Sequence, residues 1–297
     1  MPETPAALDQ HDGAMRLTAQ HIRATLPKRL AEAHKGMHGD VAIVGGDRGM
    51  TGAVVLASRA ALLAGAGRTY ASFFDPAAPS LDTLYPEIMV GAPEELRHAR
   101  AFGCVVLGPG MGLSLVAAEC MRYWLEQETP VLLDADALNL MARDSVLAHA
   151  LRVRRSMAVI TPHPGEAARL WGQRVEESQR LGCARSLADR LQVVCVLKGP
   201  QSVIAHPDGR VCINTTGNPG LASGGTGDVL SGIVGSLMAQ GLSSFDAACA
   251  GVYLHGAAAD ALVARGVGPV GLTASEVALE VRAIINRLHA LSEVKLD

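Results

Sequence analysis

The chain has 297 residues, of which 49% are hydrophobic, with 26 Lys and Arg against 29 Asp and Glu and a formal net charge of −3. That length and apolar share support one large α/β domain or two smaller ones, and the mild acidity provides no electrostatic footprint for nucleic acid. Six scattered cysteines without a CxxC pair argue against disulfides and structural zinc.

Residues 1–15 are polar, contain Pro2 and Pro5 and show no periodicity, so they read as a loose tail ahead of a single domain over 16–297. The tail lacks the basic and apolar regions of a signal peptide. No apolar run reaches the roughly 18 residues of a membrane span, and Arg59 interrupts the best candidate, 53–64. A cytoplasmic protein without a membrane partner is expected. Strands are predicted over 40–45, 69–74, 103–108, 130–133, 157–160 and 193–197, and as a hairpin over 202–206 and 210–213 around Pro207-Asp208-Gly209. Helices are predicted over 18–31, 52–65, 114–127, 164–171, 176–191, 226–240, 245–264 and 275–290. Apolar strands separated by helices imply a mostly parallel sheet between helix layers, with one short antiparallel hairpin. The 245–264 helix is apolar on nearly every side and should be buried, with His255 a packed or interface residue.

Ligands of such sheets bind beyond the C-terminal ends of the strands, and that is where the Gly- and Pro-rich segments fall. Gly45-Gly46-Asp47-Arg48-Gly49 follows the first predicted strand, but it is out of register with a dinucleotide fingerprint, and no GxxxxGK[ST] occurs anywhere. Gly108-Pro109-Gly110-Met111-Gly112, Asp134-Ala135-Asp136, Thr161-Pro162-His163-Pro164-Gly165-Glu166 and Lys198-Gly199-Pro200-Gln201-Ser202 follow later strands. Asp134 and Asp136 read as helix caps or site acids, with a cap favoured for Asp136. Glu166 suits the first turn of a helix through the dipole alone. His163, held between two prolines, is either a rigid loop residue or, as favoured here, a ligand contact.

The densest signal is 217–232, where Gly217, Gly220, Gly224, Gly225 and Gly227 precede an apolar helical pattern. Glycine permits close backbone approach, and a helix N-terminus offers unpaired N–H groups with about half a positive charge. Gly224, Gly225, Thr226 and Gly227 therefore read as an anion cradle. Asp228 is either the N-cap of the helix or an acid placed in the cradle to take a proton.

Taken together, HKGMHGDVAIVGGDRGMTGA, LGPGMG, LLDADALNL, ITPHPGEAARL, VLKGP and GNPGLASGGTGDVLSG resemble the ADP-dependent NAD(P)H-hydrate dehydratase family of the ribokinase-like superfamily, over about residues 20–290. The resemblance implies a three-layer α/β/α fold and a lyase that restores NADH or NADPH from its S hydrate, consuming ADP or ATP with Mg2+ and, from ADP, releasing AMP and phosphate. It places Ala53, Gly110, His163 and Asp228 against the hydrated dinucleotide. It gives the adenine nucleotide to Lys198, Gly199, Pro200, Gln201, Ser202 and Gly227, and the catalytic proton transfer to Asp228. The magnesium ligands are left unassigned. A homotetramer is implied too, served by an NAD(P)H-hydrate epimerase on a separate protein. Pro200, which removes a backbone donor, and Gly67-Arg68 depart from the family pattern. The competing reading is a superfamily kinase of a vitamin-precursor alcohol such as hydroxyethylthiazole; TPHPGE argues against it.

Overall fold

Short apolar runs pair into one sheet in the computed structural model, which describes residues 10, 11, 13–29, 32–99 and 101–293. In chain order the strands are β1 (Gln10–His11), β2 (Ala14–Arg16), β3 (Asp40–Gly45), β4 (Arg68–Phe73), β5 (Met89–Gly91), β6 (Cys104–Leu107), β7 (Val131–Leu133), β8 (Ala158–Ile160), β9 (Val194–Leu197), β10 (Val203–Ala205) and β11 (Val211–Ile213). They lie in the order β1-β2-β11-β10-β9-β8-β7-β6-β3-β4-β5. Every pairing from β9 to β5 is parallel, while β10 runs antiparallel to both β9 and β11, with Ile204 opposite Val196 and Cys212. The expected parallel sheet with an antiparallel hairpin is the architecture found.

The helices are α1 (Ala19–Thr25), α2 (Thr51–Leu63), α3 (Pro93–Ala99), α4 (Leu115–Glu126), α5 (Ala135–Arg143), α6 (Ser145–Arg152), α7 (Pro164–Trp171), α8 (Arg180–Leu191), α9 (Thr226–Ala239), α10 (Ser244–Ala264) and α11 (Ala274–Glu293). Because side chains alternate along a strand, Val41 and Ile43 pack under α1, α2 and α9–α11, whereas Ala42 and Val44 pack under α3–α8. The sheet is thus buried on both faces. Gly232 of α9 lies so close to α2 that a Cβ there would overlap the Ala57 carbonyl, which makes these two helices the most intimate pair.

Several boundaries differ from the sequence reading. The helix expected over 18–31 stops at Thr25, because Leu26 precedes Pro27 and takes extended backbone, φ −57° and ψ 140°; residues 30 and 31 lie outside the described ones. The 176–191 helix divides into a 3₁₀ turn at Glu177–Gln179 and α8. Residues 1–9 and 12 are outside the described part of the expected tail, but Met15 of β2 pairs with Cys212 and Ala14 is fully buried, so the sheet reaches further toward the N-terminus than residue 16. β1, β2, β5, α3 and α6 match no predicted element, and α5 is the helix that the cap readings of Asp134 and Asp136 implied without a range. Contrary to the expectation for membrane spans, α10 is long and apolar enough to cross a bilayer (21 residues, mean hydropathy 1.3), yet 67% of that window is buried within the fold.

Candidate active site

Each rim loop is tied to its neighbour, so the strand ends form one surface. After β3, Gly46 N–H donates to the Pro109 carbonyl at 2.9 Å and Asp47 N–H to the Gly110 carbonyl at 2.6 Å. Gly110 has φ +56°, and a Cβ there would sit 2.7 Å from Met50 and 3.4 Å from the Ala53 methyl, so glycine is required for this closure. The Asp136 carboxylate accepts from Gly112 N–H at 2.9 Å and from the Asn139 amide at 3.2 Å, joining the loops after β6 and β7. Asp136 is therefore a bridge between loops and not the cap favoured from sequence.

The middle of the rim is ionic. Asp134, 1% exposed, accepts from Lys198 Nζ at 2.7 Å on one oxygen and from Ser231 Oγ at 2.6 Å on the other. Its residue stands at the N-cap position of α5, but its side chain makes no capping bond. Burial alone would lower the Lys198 ammonium, but Asp134, Glu166 and Asp228 outweigh it and hold the pKa above the usual lysine value. The amine also lies 3.4 Å from where a Gly227 Cβ would stand, so it reaches the floor of the glycine cradle.

The cradle begins at Gly225, whose φ of +86° makes it the N-cap of α9. Thr226 Oγ donates toward the carbonyls of Leu221 (2.7 Å) and Ser223 (2.9 Å) and fixes the turn. Asp228 falls in the first helical turn and is not the cap, so the capping reading of this acid is removed. Burial, and then Asp134, push its carboxyl up to about 7; Lys198 pulls the other way, and Asp136 and Glu166 add to the rise. A carboxylate that changes charge near neutrality, on a helix end offering free N–H groups, is suited to general-base work beside an anion.

His163 is exposed and caps α7: its Nδ1 accepts from Gly165 N–H at 3.0 Å, and its own N–H donates to Glu166 at 2.9 Å. His163 is thus a helix cap, a role neither sequence reading named, and its ring stands on the same rim. Lys198 N–H donates to the Pro162 carbonyl at 2.9 Å, which sets the loop after β8 against the loop after β9. Gly199 (φ +143°) and Gln201 (φ 53°) shape that second loop, and Ser202 Oγ donates to the Gly199 carbonyl at 3.1 Å. Pro200 and Gln201 are exposed at its tip.

These loops, with an acid that titrates near neutrality at a glycine cradle, match a known pattern. A family model described as NAD(P)H-hydrate dehydratase matches residues 41–280. The chain belongs to this family. It is 39% identical to the ADP-dependent (S)-NAD(P)H-hydrate dehydratase of Neisseria meningitidis, over 92% of this chain and 94% of that one. It is 43% identical to a bifunctional NAD(P)H-hydrate repair enzyme of Escherichia coli, covering 93% of this chain but 53% of that protein. The crystal structure of a Bacillus subtilis ADP/ATP-dependent NAD(P)H-hydrate dehydratase co-crystallised with ATP/Mg2+ superimposes with a TM-score of 0.83 at 31% identity, over 94% of this chain and all of that one. The ribokinase-like fold expected from sequence is thereby that of this dehydratase.

Two contributors to the site went unread in the sequence. Ser231 shares a face of α9 with Asp228, three residues on, and that spacing was available as a signal. Arg180 gave none, because it reads as an ordinary charged residue on an amphipathic helix. It is 6% exposed beneath the Lys198–Ser202 loop, and its guanidinium lies 3.4 Å from the Leu197 and Lys198 carbonyls. A Cβ on Gly199 would come within 2.6 Å of it. Among the described residues no group of three or more His, Cys, Asp or Glu side chains could hold a metal ion on its own. The carboxylate excess around Asp228 instead fits magnesium carried on phosphates and held by one or two acids.

Proposed function

We propose that this dehydratase restores NADH and NADPH from their S hydrates, with ADP as co-substrate and AMP and phosphate as products. The observation that carries the reading is Asp228, titrating at about 7 in the first turn of α9 beside Lys198. Hydroxide is a poor leaving group from the hydrated ring, so the hydroxyl must first be phosphorylated. Asp228 takes the hydroxyl proton as the oxygen attacks the β-phosphoryl of ADP, and AMP departs. The N–H groups of Gly224, Gly225, Thr226 and Gly227 receive the charge of the transferred group. The ring nitrogen's lone pair then expels phosphate, and the adjacent carbon releases a proton to restore the double bond. When bound, magnesium would neutralise charge on the phosphates, with one or two of the acids clustered around Asp228 available to hold it.

Ala53 and Gly110, in contact across the rim, line the hydrated dinucleotide in this reading, with His163 at its edge. Lys198 to Ser202 and Gly227 hold the adenine nucleotide. Pro200 supplies no N–H, which places the donor role of that loop on its neighbours. Purified protein mixed with hydrated NADH, ADP and magnesium should regain the absorbance of the reduced nicotinamide. Equal recovery without nucleotide would remove the phosphorylation step. Turnover of nucleotide with hydroxyethylthiazole, and none with the hydrate, would favour a kinase.

The wider setting belongs to the same proposal. The six buried free thiols suit a reducing, cytoplasmic compartment. Bifunctional relatives support a functional link to epimerisation of the R and S hydrates. A hollow of about 130 Å³ between α2 and α11, lined by Leu56, Leu63, Leu84, Ala278 and Leu279, leaves Leu84 69% exposed. Such a patch supports association of copies into the expected homotetramer. Sedimentation should show an assembly that Leu84→Glu disrupts; a monomeric wild type would end this reading.

A further inference from the structure

Helix α10 holds the loop that leads into the cradle through a stripe of polar groups on one face. The Val252 carbonyl accepts from the Asn214 amide at 3.4 Å and the Tyr253 carbonyl from Thr216 Oγ at 3.1 Å. One turn on, Gly256 packs so tightly that a Cβ would overlap Thr216. The His255 ring is buried on the same helix, one residue before Gly256. A further turn on, the Asp260 carboxylate accepts from Gly217 N–H at 2.8 Å on one oxygen and from the Asn218 amide at 3.0 Å on the other. Residues 252, 256 and 260 are spaced at i, i+4 and i+8, which sets them on one helical face.

The constraint imposed by Asp260 continues toward the site. Asn218 uses its amide on Asp260 and its oxygen on Gly220 N–H at 3.0 Å, so the Gly217–Gly220 turn is held at both ends. Ser223 Oγ then donates to the Gly220 carbonyl at 3.0 Å, and Thr226 Oγ to the Leu221 and Ser223 carbonyls. A run of hydrogen bonds therefore links one carboxylate on α10 to Ser223 and Thr226, the residues that flank Gly224 and Gly225. Two backbone-shaping bonds on a single carboxylate are stronger than neutral ones would be.

We infer that Asp260 is a positioning residue for phosphoryl transfer: through Gly217 and Asn218 it fixes the N–H groups that receive the transferred phosphoryl. The inference rests on the cradle having the role assigned above. Misplacing catalytic donors by about 1 Å costs roughly 100-fold in rate.

The test is steady-state kinetics with hydrated NADH, ADP and magnesium, together with thermal melting. Asp260→Ala is expected to lower kcat by about 10–100-fold while KM for ADP changes by less than about threefold, because the donors matter most in the transition state. Asp260→Asn, which keeps one acceptor oxygen, should recover to within about fivefold of wild type. Asn218→Ala should resemble Asp260→Ala, and the double variant should be no worse than either single one, since both act on the same turn. A kcat for Asp260→Ala within twofold of wild type overturns the inference, as does a double variant whose loss is the product of the two. If Asp260→Ala does not fold, Asn218→Ala decides alone, because it leaves α10 unaltered. A wild type inactive on the hydrate would instead remove the proposed function itself, which separates the two failures.

Discussion

Asp228→Asn is expected to lower dehydration of hydrated NADH by about 10²–10⁴-fold, the usual loss on removing a general base. The amide keeps the shape but cannot accept the hydroxyl proton. ADP affinity should hold or improve, since a negative charge has left the cradle. The wild-type rate should rise with pH through about 7, where the Asp228 carboxyl ionises, and then level off; the variant should lack that limb. Stability should move the opposite way to activity. The Asp228 carboxyl titrates at about 7 in the fold against an ordinary 3.8, so the folded state holds its proton more tightly. The stabilisation is fully present below about 3.8 and is lost as pH rises through about 7. At neutral pH the ionised acid therefore costs about 2–4 kcal/mol of stability, which Asp228→Asn should largely return. Near wild-type turnover in the variant would end the assignment of Asp228 as the base, and a lower melting temperature would contradict the electrostatic account.

Lys198→Met is expected to destabilise the fold by about 3–5 kcal/mol, because removing one partner of a buried ion pair leaves the other uncompensated. Asp134, whose side chain is 2% exposed, would keep only the Ser231 hydroxyl. Adding Asp134→Asn should recover more than half of the loss, which chemical denaturation can measure. A single-variant loss below about 1 kcal/mol, or no recovery in the pair, would show that the ion pair is not held as described. Calorimetry on the repaired double variant then isolates the contribution of the Lys198 charge to ADP binding, expected at roughly 1.5–3 kcal/mol.

The sheet was legible because its strands carry uninterrupted apolar runs, as in Val41-Ala42-Ile43-Val44 and Val194-Cys195-Val196-Leu197. The α5–α6 segment was not, since nine and eight residues broken at Asp144 are too short for a helical period to stand out. Asp144 caps the second of them, accepting from Val146 N–H at 2.8 Å. In the site, motif position marked Asp228, Lys198 and Gly110. Partner choice was beyond reach: the pairing of Lys198 with Asp134 spans 64 residues, and that of Gly217 with Asp260 spans 43. Asp136 and His163 show a different limit, because a polar side chain at a strand end can serve a cap, a loop bridge or a ligand with the same residue type.

The overlap-tight contact of Gly232 with Ala57 acts as a gauge. Ala57 lies four residues, about one turn, below Ala53 on α2, and Gly232 four residues below Asp228 on α9, about 6 Å in each case. On the proposed mechanism the wall beside the hydrated ring and the base that takes its hydroxyl proton therefore hang from a single joint, with no side chain at the Gly232–Ala57 contact to take up slack. The span across the reacting centre is set when the chain folds and not when substrate arrives. A lineage can retune the nucleotide by editing the Lys198–Ser202 loop, one residue at a time. It can change the bore of the reacting centre only by replacing both sides of that joint together.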